Sequence, residues 1–251
     1  MSGHSKWSSI KHKKGAADAK RGKLFSKLTR AIIVAAKEGG PDPANNLALQ
    51  NAIEKARSYS MPKDNIERAI AKGAGEGADA EAFETVVYEG YGPEGVAVIV
   101  EALTDNRNRT ASEVRHAFTR HGGSLGTTGA VAWQFERRGV VVVPGEGVDE
   151  EELFLAAADA GADDVEADGD VFQVTSAPES LAAVRGAIEA AGFAVESAEL
   201  SLVPKTTVAI EDESAAKSVM RLIDALEDND DVQDVYANFD IPEQVLEAVA
   251  G

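Results

Sequence analysis

The order of the secondary structure is clearest in residues 139–200, which have the sequence GVVVVPGEGVDEEELFLAAADAGADDVEADGDVFQVTSAPESLAAVRGAIEAAGFAVESAEL. Six segments of this stretch alternate between strand and helix patterns: strands at Val140–Val143, Asp164–Ala167, Val171–Thr175 and Ala194–Leu200, and helices at Glu150–Ala160 and Pro178–Ala191. The two central strands flank Asp168-Gly169, a dipeptide typical of a hairpin turn. The resulting βαββαβ order is that of a ferredoxin-like domain.

The segments on either side of this unit carry too few strands to fold alone. Residues 84–136 predict two strands around a turn at Tyr91–Gly95, then a helix and a strand at Val131–Glu136. Residues 205–241 predict a strand, a helix and a strand. Because sheets of two or three strands are only marginally stable, we expect one domain built from 83–137 and 203–251, with residues 138–202 inserted between them.

The first part of the chain has a helical pattern. From Asp18 to Lys37, apolar residues recur at spacings of three and four, and basic residues lie on the opposite side of the predicted helix. Further helices are predicted at 43–58 and 62–72, followed by a linker rich in glycine, alanine and acids. Residues 1–75 are expected to form a basic arm and a helical domain. The fold class is then α+β multidomain: an N-terminal helical domain plus two α+β (ferredoxin-like) domains, the third inserted in the second.

Charge is distributed very unevenly along the chain. The 251 residues carry a formal net charge of −18. The first 37 residues hold ten Lys/Arg and one Asp, a net charge of +9, so the remainder carries −27. A positive N-terminal segment attached to a strongly negative body is informative where the average charge is not.

Several functional classes are excluded by composition. The chain has no cysteine, and no apolar run approaches the roughly 18 residues of a membrane span. No apolar segment follows the basic N-terminus as in a signal peptide, so we expect a cytoplasmic protein without a membrane partner. The histidines lack the spacing of zinc ligands. The acids Asp228, Asp230 and Asp231 lie in a predicted turn, but a calcium-binding loop would need another oxygen ligand at the position of Val232. We therefore expect no metal, cofactor, small-molecule substrate or enzymatic activity.

Four long strings resemble the YebC/PmpR family, which includes mitochondrial translational activators of cytochrome oxidase. They are GHSKWSSIKHKKGAADAKRGK at 3–23, MPKDNIERAI at 61–70, YEGYGPEGVA at 88–97 and TDNRNRTASEVRHAFTRHGGSLGTTGAVAWQF at 104–135. The resemblance implies a three-domain fold, one helical and two α+β, with the third domain inserted in the second. It also implies a cytoplasmic, non-enzymatic regulator of gene expression, acting on DNA or on the translating ribosome.

The basic N-terminal segment is the first candidate nucleic-acid surface. Its candidate residues are Lys6, Trp7, Lys11, His12, Lys13, Lys14, Lys20, Arg21, Lys23, Lys27 and Arg30. Lysine and arginine contacts to phosphates supply most sequence-independent affinity, and an indole such as Trp7 can stack on an unpaired base. The alternative is a solvated helix face with Trp7 docked on the helical domain.

A second candidate surface follows the first pair of strands. Thr110 and Glu113 have capping-box spacing, which predicts a helix to about His121 and places Arg107 and Arg109 in the preceding loop as phosphate contacts. Arg115, Arg120, His116 and His121 lie on the predicted helix. The alternative is that Arg115 and Arg120 pair with nearby acids on the sheet. The G-x-x-G at Gly123–Gly126 is better explained as part of a helix end and turn than as a nucleotide clamp.

The residues thus predict a cytoplasmic nucleic-acid-binding protein, and the resemblance to the YebC/PmpR family implies a DNA-binding transcriptional regulator. The alternative is a ribosome-associated translation factor that places the same segment on ribosomal RNA, since no helix-turn-helix with a polar recognition helix is evident. A third hypothesis is an adaptor whose acidic body binds basic proteins.

Overall fold

The structure is a computed structural model that describes residues 18–75 and 83–250. Its helices are α1 Asp18–Gly39, α2 Leu47–Ser58, α3 Lys63–Gly73, α4 Arg107–Arg120, α5 Glu150–Ala158, α6 Leu181–Ala190, α7 Glu213–Glu227 and α8 Glu243–Ala250. Its strands are β1 Glu84–Tyr91, β2 Ala97–Thr104, β3 Ser124–Leu125, β4 Phe135–Pro144, β5 Ala162–Asp168, β6 Val171–Ser176, β7 Ser197–Pro204, β8 Val208–Ala209, β9 Val232–Ala237 and β10 Phe239–Asp240. Two compact units divide these residues: 18–132 with 217–235, and 133–216 with 236–250.

The three N-terminal helices enclose an apolar core. The stripe predicted on α1 is buried, including Leu28 and Ile32, and it packs with Leu49, Ile53 and Ile66 of the other two helices. Helix α2 begins at Leu47, four residues later than the sequence pattern predicts. The reason is Asn46, whose side chain accepts a hydrogen bond of 3.1 Å from the Leu49 N–H and donates to two main-chain carbonyls at the end of α1.

The first sheet has the strand order β3-β1-β2-β9. Strands β1 and β2 pair antiparallel from Glu84↔Thr104 to Tyr91↔Ala97 around the predicted turn. The chain reverses through a short 3₁₀ turn, Pro93–Gly95, in which Gly95 has a φ of 75°. Strand β9 joins the far side of β2, so segments before and after residues 139–200 contribute to one sheet. The domain boundaries 83–137, 203–251 and 138–202 stay a prediction.

Helix α4 lies very close to β1. A Cβ at Gly90 would come within 2.7 Å of the Phe118 ring and 2.6 Å of the Ser124 carbonyl oxygen. Phe118 is fully buried, as is Val114 one turn earlier, and these two residues form the inward face of the helix. Glycine at position 90 is thus required by the close approach of helix and strand.

The stretch 139–200 forms the expected ferredoxin-like arrangement. Its sheet has the order β5-β6-β4-β7, with every neighbouring pair antiparallel. Val141, Val174, Leu153, Val184 and Ile188 are buried between the sheet and helices α5 and α6. Several boundaries differ from the prediction; for example, β7 runs from Ser197 to Pro204 where the pattern predicts Ala194–Leu200. Strand β4 begins at Phe135 and continues to Pro144, and the predicted strand at Val131–Glu136 is replaced by a 3₁₀ turn at Ala132–Gln134.

The remainder of this unit is small. Strands β8 and β10 form a short parallel pair, Phe239↔Val208 and Asp240↔Ala209. Ile241, just before α8, and Leu246 within it are fully buried. Within residues 18–75 and 83–250, none of the helices combines the length and the apolar character that a membrane crossing demands.

Candidate nucleic-acid interface

The predicted interface residues fall into three groups in the structure. Lys6, Trp7, Lys11, His12, Lys13 and Lys14 lie outside the described residues. Lys20, Arg21 and Lys23 lie in α1, but their side chains are likewise outside the description. The remaining four, Lys27, Arg30, Arg107 and Arg109, have defined surroundings.

Lys27 points toward the end of α7. Its ammonium donates a hydrogen bond to the main-chain carbonyl of Glu227, at the negative end of that helix. Burial lowers the pKa of Lys27, although the neighbouring acids Glu227 and Asp234 act in the opposite direction. The side chain is half-buried and contacts protein, so it is available to a phosphate only in part.

Arg30, one turn further along α1, is bound by the turn that follows α7. Its Nη1 lies 2.8 Å from Oδ1 of Asp231 and 2.6 Å from the main-chain oxygen of Asp230. The guanidinium also lies over the Phe83 ring, 5.5 Å from its centroid. Arg30 therefore fixes α1 to two other segments of the same compact unit.

Arg109 is bound by the same carboxylate. Its Nη2 lies 2.7 Å from Oδ2 of Asp231 and 2.9 Å from Oδ1 of Asp105. The predicted capping box is wrong: α4 begins at Arg107, and Asn106 is its N-cap, accepting a 3.1 Å hydrogen bond from the Arg109 N–H. Arg107 and Arg109 consequently lie in the first turn of the helix and not in the loop before it.

Asp231 is the centre of this network and is only 3% exposed. Besides the two arginines, the Thr110 hydroxyl donates to Oδ2 at 2.7 Å, and the Thr104 hydroxyl lies 3.3 Å away. Burial alone would raise the pKa of Asp231, but the hydrogen bonds from Arg109 and Thr110 and the charges of both arginines lower it. The sequence pattern identified Asp231 only as one acid in a turn, and its role depends on residues far away in the chain.

A polar cavity of about 440 Å³ lies beside this network. Acidic side chains and two arginines line it: Arg30, Asp105, Arg109, Glu113, Asp228, Asn229, Asp230 and Asp231. The excess of carboxylates would repel a phosphate backbone. Arg30 and Arg109 thus neutralise an acid inside the unit and do not present free charge to a ligand at this point.

Arg107 and the second half of α4 are more exposed. Arg107 Nε lies 3.6 Å from Oε1 of Glu84, a loose surface ion pair. Arg115, His116 and Arg120 are exposed, and His121 follows the last residue of the helix. The helix ends as predicted: Gly122 has a φ of 79°, and the Gly123 N–H donates to the Phe118 carbonyl at 2.8 Å.

A buried carboxylate that sequence reasoning missed orders the loop after β3. Glu89 is 6% exposed. Its Oε1 accepts from the Gly129 N–H at 2.7 Å, and its Oε2 accepts from the N–H groups of Val131 and Ala132 at 2.8 Å. Burial would raise the pKa of Glu89, but the three backbone donors lower it. The only sequence signal for this role is the glycine-rich run before Val131, because the backbone N–H groups of such a loop need a hydrogen-bond acceptor.

No group of three or more His, Asp or Glu side chains in residues 18–75 and 83–250 has an arrangement that could hold a metal ion. The Asp231 carboxylate is bound by Arg30 and Arg109. The described part of the chain therefore offers charged surface and ordered backbone.

Comparison with known proteins places these features in a family. Two models of one protein family match the chain. The model of the TACO1/YebC protein N-terminal domain matches residues 5–76, and the model of the TACO1/YebC second and third domain matches residues 83–239. A “Probable transcriptional regulatory protein” of Rubrobacter xylanophilus is 61% identical over 251 residues, covering 100% of both chains. A protein of the same name from Persephonella marina is 54% identical, again over 100% of both chains.

A solved structure is also similar to this chain. The crystal structure of a conserved hypothetical protein from Aquifex aeolicus has 54% sequence identity and a TM-score of 0.82, and the match covers 90% of this chain and 92% of that chain. The fold class predicted from the sequence, an N-terminal helical domain followed by α+β domains, is thereby confirmed.

Proposed function

Since the chain belongs to the TACO1/YebC family, we propose that it regulates gene expression by binding nucleic acid in the cytoplasm, without catalysing a reaction. Relatives named probable transcriptional regulatory proteins over their full length support the regulatory part of this proposal. The nucleic-acid part rests on the charge and the exposed groups of the chain itself.

The observation that carries the proposal is the positive segment at the start of an acidic chain. Ten Lys/Arg and one Asp lie in the first 37 residues of a chain with a net charge of −18. Lys27 and Arg30 are engaged with the turn after α7, so they hold α1 in place. We assign the phosphate contacts to Lys6, Lys11, His12, Lys13, Lys14, Lys20, Arg21 and Lys23, with Trp7 as a stacking residue.

Duplex DNA is the first target, in keeping with the names of the relatives. Each Lys or Arg that neutralises a phosphate releases counterions, so a segment of this charge would bind DNA tightly at low salt and weakly at high salt. Such contacts position a protein on a duplex without specifying its sequence. Of the four predicted residues with defined surroundings, Arg107, in the exposed first turn of α4, is the one best placed to add a contact.

Ribosomal RNA is the second candidate, and two observations favour it. The exposed side of α3 carries the acids Asp64 and Glu67. The Arg68 side chain on this helix donates hydrogen bonds to the Asp64 carbonyl oxygen and to Asn65. A helix with these features does not resemble one that reads the major groove of DNA. Trp133 is 67% exposed. An exposed indole suits the unpaired bases of folded RNA, where stacking contributes about 1–3 kcal/mol per base.

A competition assay tests the proposal. Full-length protein bound to a labelled duplex is challenged with random duplex DNA and with purified ribosomes at one fixed salt concentration. A clear preference for one duplex supports a DNA-binding regulator. Ribosomes that compete more than about tenfold better than random duplex, equal to about 1.4 kcal/mol, favour the ribosomal RNA alternative. Failure of both to bind overturns the proposal.

A matched pair of variants tests the assigned residues. Lys11→Gln, Lys13→Gln and Lys14→Gln together should lower the dependence of log K on log salt by about 2–3, since each phosphate contact contributes about 0.9. The control removes the same charge from exposed positions elsewhere, Arg57→Gln, Lys63→Gln and Lys205→Gln. Equal effects of the two triple variants would show that net charge, and not the N-terminal segment, governs binding.

A further inference from the structure

We propose that Arg115, His116, Arg120, His121 and Arg221 form a second surface for the phosphate backbone of nucleic acid, in addition to the basic N-terminal segment. We call these five residues the basic cluster. The inference rests on the proposed function and deepens it, because it names a surface and a ligand chemistry that the charge of the N-terminal segment does not require.

The fold brings the five residues together from two helices. Helix α7 packs beside the turn that follows β1: a Cβ at Gly92 would lie 3.0 Å from Cδ2 of Leu222. The same turn touches the end of α4, since a Cβ at Gly123 would lie 3.1 Å from the Gly92 Cα. Arg221 precedes Leu222 in α7 and is exposed, and its positive charge acts on His121 at the end of α4.

The charges in this cluster all have the same sign. Burial, and then the positive charges of Arg120, Arg221 and His116, lower the pKa of His121. None of the three arginines has an ion-pair partner among the residues that the structure describes. Like charges held close together destabilise a fold unless an anion is bound.

The first half of α4 shows the opposite arrangement. Arg109 is paired with Asp105 and Asp231, and Arg107 is near Glu84. Glu113, the acid on the outer face of the helix, accepts a hydrogen bond of 2.8 Å from Asn229 and is directed toward the acidic turn. The acids of this unit thus neutralise one end of the helix and leave the other end positive.

The helix dipole explains only part of this pattern. Cations are favoured in the last turn of a helix, which accounts for Arg120 and His121. Arg115 lies in the middle of α4 and Arg221 in the middle of α7, where the dipole has little effect. Moreover, Arg221 is one of only four Lys/Arg after residue 138, in a region that holds 27 Asp/Glu. Its position beside the basic end of α4 is therefore best explained by an anionic ligand.

The chemistry of the cluster suits phosphodiesters. Arginine guanidiniums bind phosphate oxygens with paired N–H donors, and exposed imidazoles add a further donor when protonated. Several arginines from two helices match a row of phosphates better than they match a single small anion, which one arginine pair would hold. Both DNA and RNA present this backbone, so the experiment includes a duplex of each.

The test measures the salt dependence of binding by the full chain. Arg115→Gln, Arg120→Gln and Arg221→Gln are combined, and the control variant is Arg137→Gln, Arg185→Gln and Lys205→Gln, which removes the same charge. Short random-sequence DNA and RNA duplexes are the probes. We expect the cluster variant to lower the log–log salt slope by about 2–3, and the control to leave it unchanged. The thermal midpoint of each variant confirms that it is folded.

The outcomes separate the inference from the proposed function. If the wild-type protein binds and both variants behave alike, the basic cluster is overturned while the proposed function stands. If the wild-type protein binds neither duplex, the basic cluster is overturned, and the proposed function falls with it only if purified ribosomes do not bind either. A lower slope with DNA and RNA supports general backbone contact, and a lower slope with one of them identifies the source. As an independent readout, the His121 ring signal should shift on addition of duplex, and an unchanged signal at saturation overturns the inference.

Discussion

The Asp231 carboxylate accepts a hydrogen bond of 2.8 Å from Nη1 of Arg30, although 201 positions separate the two residues in the chain. The same carboxylate binds Arg109 and Thr110 of helix α4. One buried acid therefore connects the helical region, α4 and the turn before β9. Its charge is stabilised by two cations and a hydroxyl, which is the arrangement that makes a buried carboxylate tolerable.

Replacing that acid should weaken the whole unit. Asp231→Asn removes the negative charge and leaves Arg30 and Arg109 without their shared partner. We expect the free energy of unfolding to fall by about 2–4 kcal/mol, somewhat less than the roughly 3–5 kcal/mol of a fully buried broken ion pair, because Arg109 is partly exposed. Urea denaturation measures the change.

The neighbouring acid provides the control for this substitution. Asp230→Asn makes the same change of charge at an exposed position, where the main-chain oxygen accepts a hydrogen bond from Arg30. We expect an effect within about 0.5 kcal/mol, as for most surface substitutions. Equal losses for the two variants would argue that net charge, and not the Asp231 network, sets the stability.

Stability should also depend on pH in the acid range. The pKa of Glu89 is lowered from its ordinary value of 4.5, so the folded protein binds the proton less readily than the unfolded chain. The stabilisation is then complete above about pH 4.5 and is lost as the pH falls through the lower, folded-state pKa. In Glu89→Gln, the side-chain NH₂ group would face backbone N–H donors that then lack an acceptor. We therefore expect the free energy of unfolding to fall by about 1–3 kcal/mol at neutral pH.

The pH profile distinguishes Glu89 from other acids. The difference in unfolding free energy between wild type and Glu89→Gln should shrink steadily below about pH 4.5, because protonation removes the acceptor charge from the wild-type carboxylate. Chemical denaturation at a series of pH values gives this difference. A constant difference down to the acid limit would contradict the role assigned to the Glu89 charge.

Two glycines should respond in opposite directions to alanine. Gly90→Ala would place a Cβ within 2.7 Å of Phe118 and 2.6 Å of the Ser124 oxygen, and we expect a loss of about 1–3 kcal/mol. Gly186 lies in α6 with no atom within 4 Å of an added Cβ. Gly186→Ala should stabilise the protein by about 0.5–1 kcal/mol, since alanine favours the helix. Thermal denaturation of both variants tests whether the midpoint falls for Gly90→Ala and rises for Gly186→Ala.

The ferredoxin-like unit should fold when it is expressed alone. Its sheet, two helices and apolar core lie within residues 135–204, where Phe135 pairs with Pro204 at one end of β4 and β7. A fragment limited to 138–202 omits the end of that ladder and should unfold at lower denaturant. Residues 83–137 alone should show no cooperative transition, since β9 is absent from them. Cooperative folding of the 83–137 fragment would contradict the proposed domain assignment.

The sequence was most informative where local signals agreed. Residues 139–200 combine β-branched runs, a two-residue hairpin turn and acids in the first turn of α5, and the predicted order of elements matches the structure. The buried stripe of α1 was likewise predictable from its spacing. In each case the information lies within a few turns or one strand of the chain, which is the range over which periodicity acts.

Local signals failed where a distant partner decides the outcome. Thr110 has the spacing of a capping residue, yet it lies inside α4 because Asn106 caps the helix and the Thr110 hydroxyl bonds Asp231. Arg30 and Arg109 resemble phosphate ligands in the sequence because their acidic partner is far away in the chain. The position of Arg221 beside His121 could not be predicted either, since it depends on how α7 packs against the turn at Gly92.

The pairing of Phe135 with Pro204 also bears on how such a chain could arise. Partners in an antiparallel ladder lie about 5 Å apart, so the ferredoxin-like unit begins and ends at nearly one point. A gene fragment encoding it could enter a turn of an ancestral protein and leave the positions of the flanking strands unchanged. Lengthening a connection costs little, about 0.6 kcal/mol for each doubling, and a segment that folds on its own avoids most of that cost. The geometry of two strand ends thus makes the acquisition of a whole domain, or its loss, a single evolutionary step.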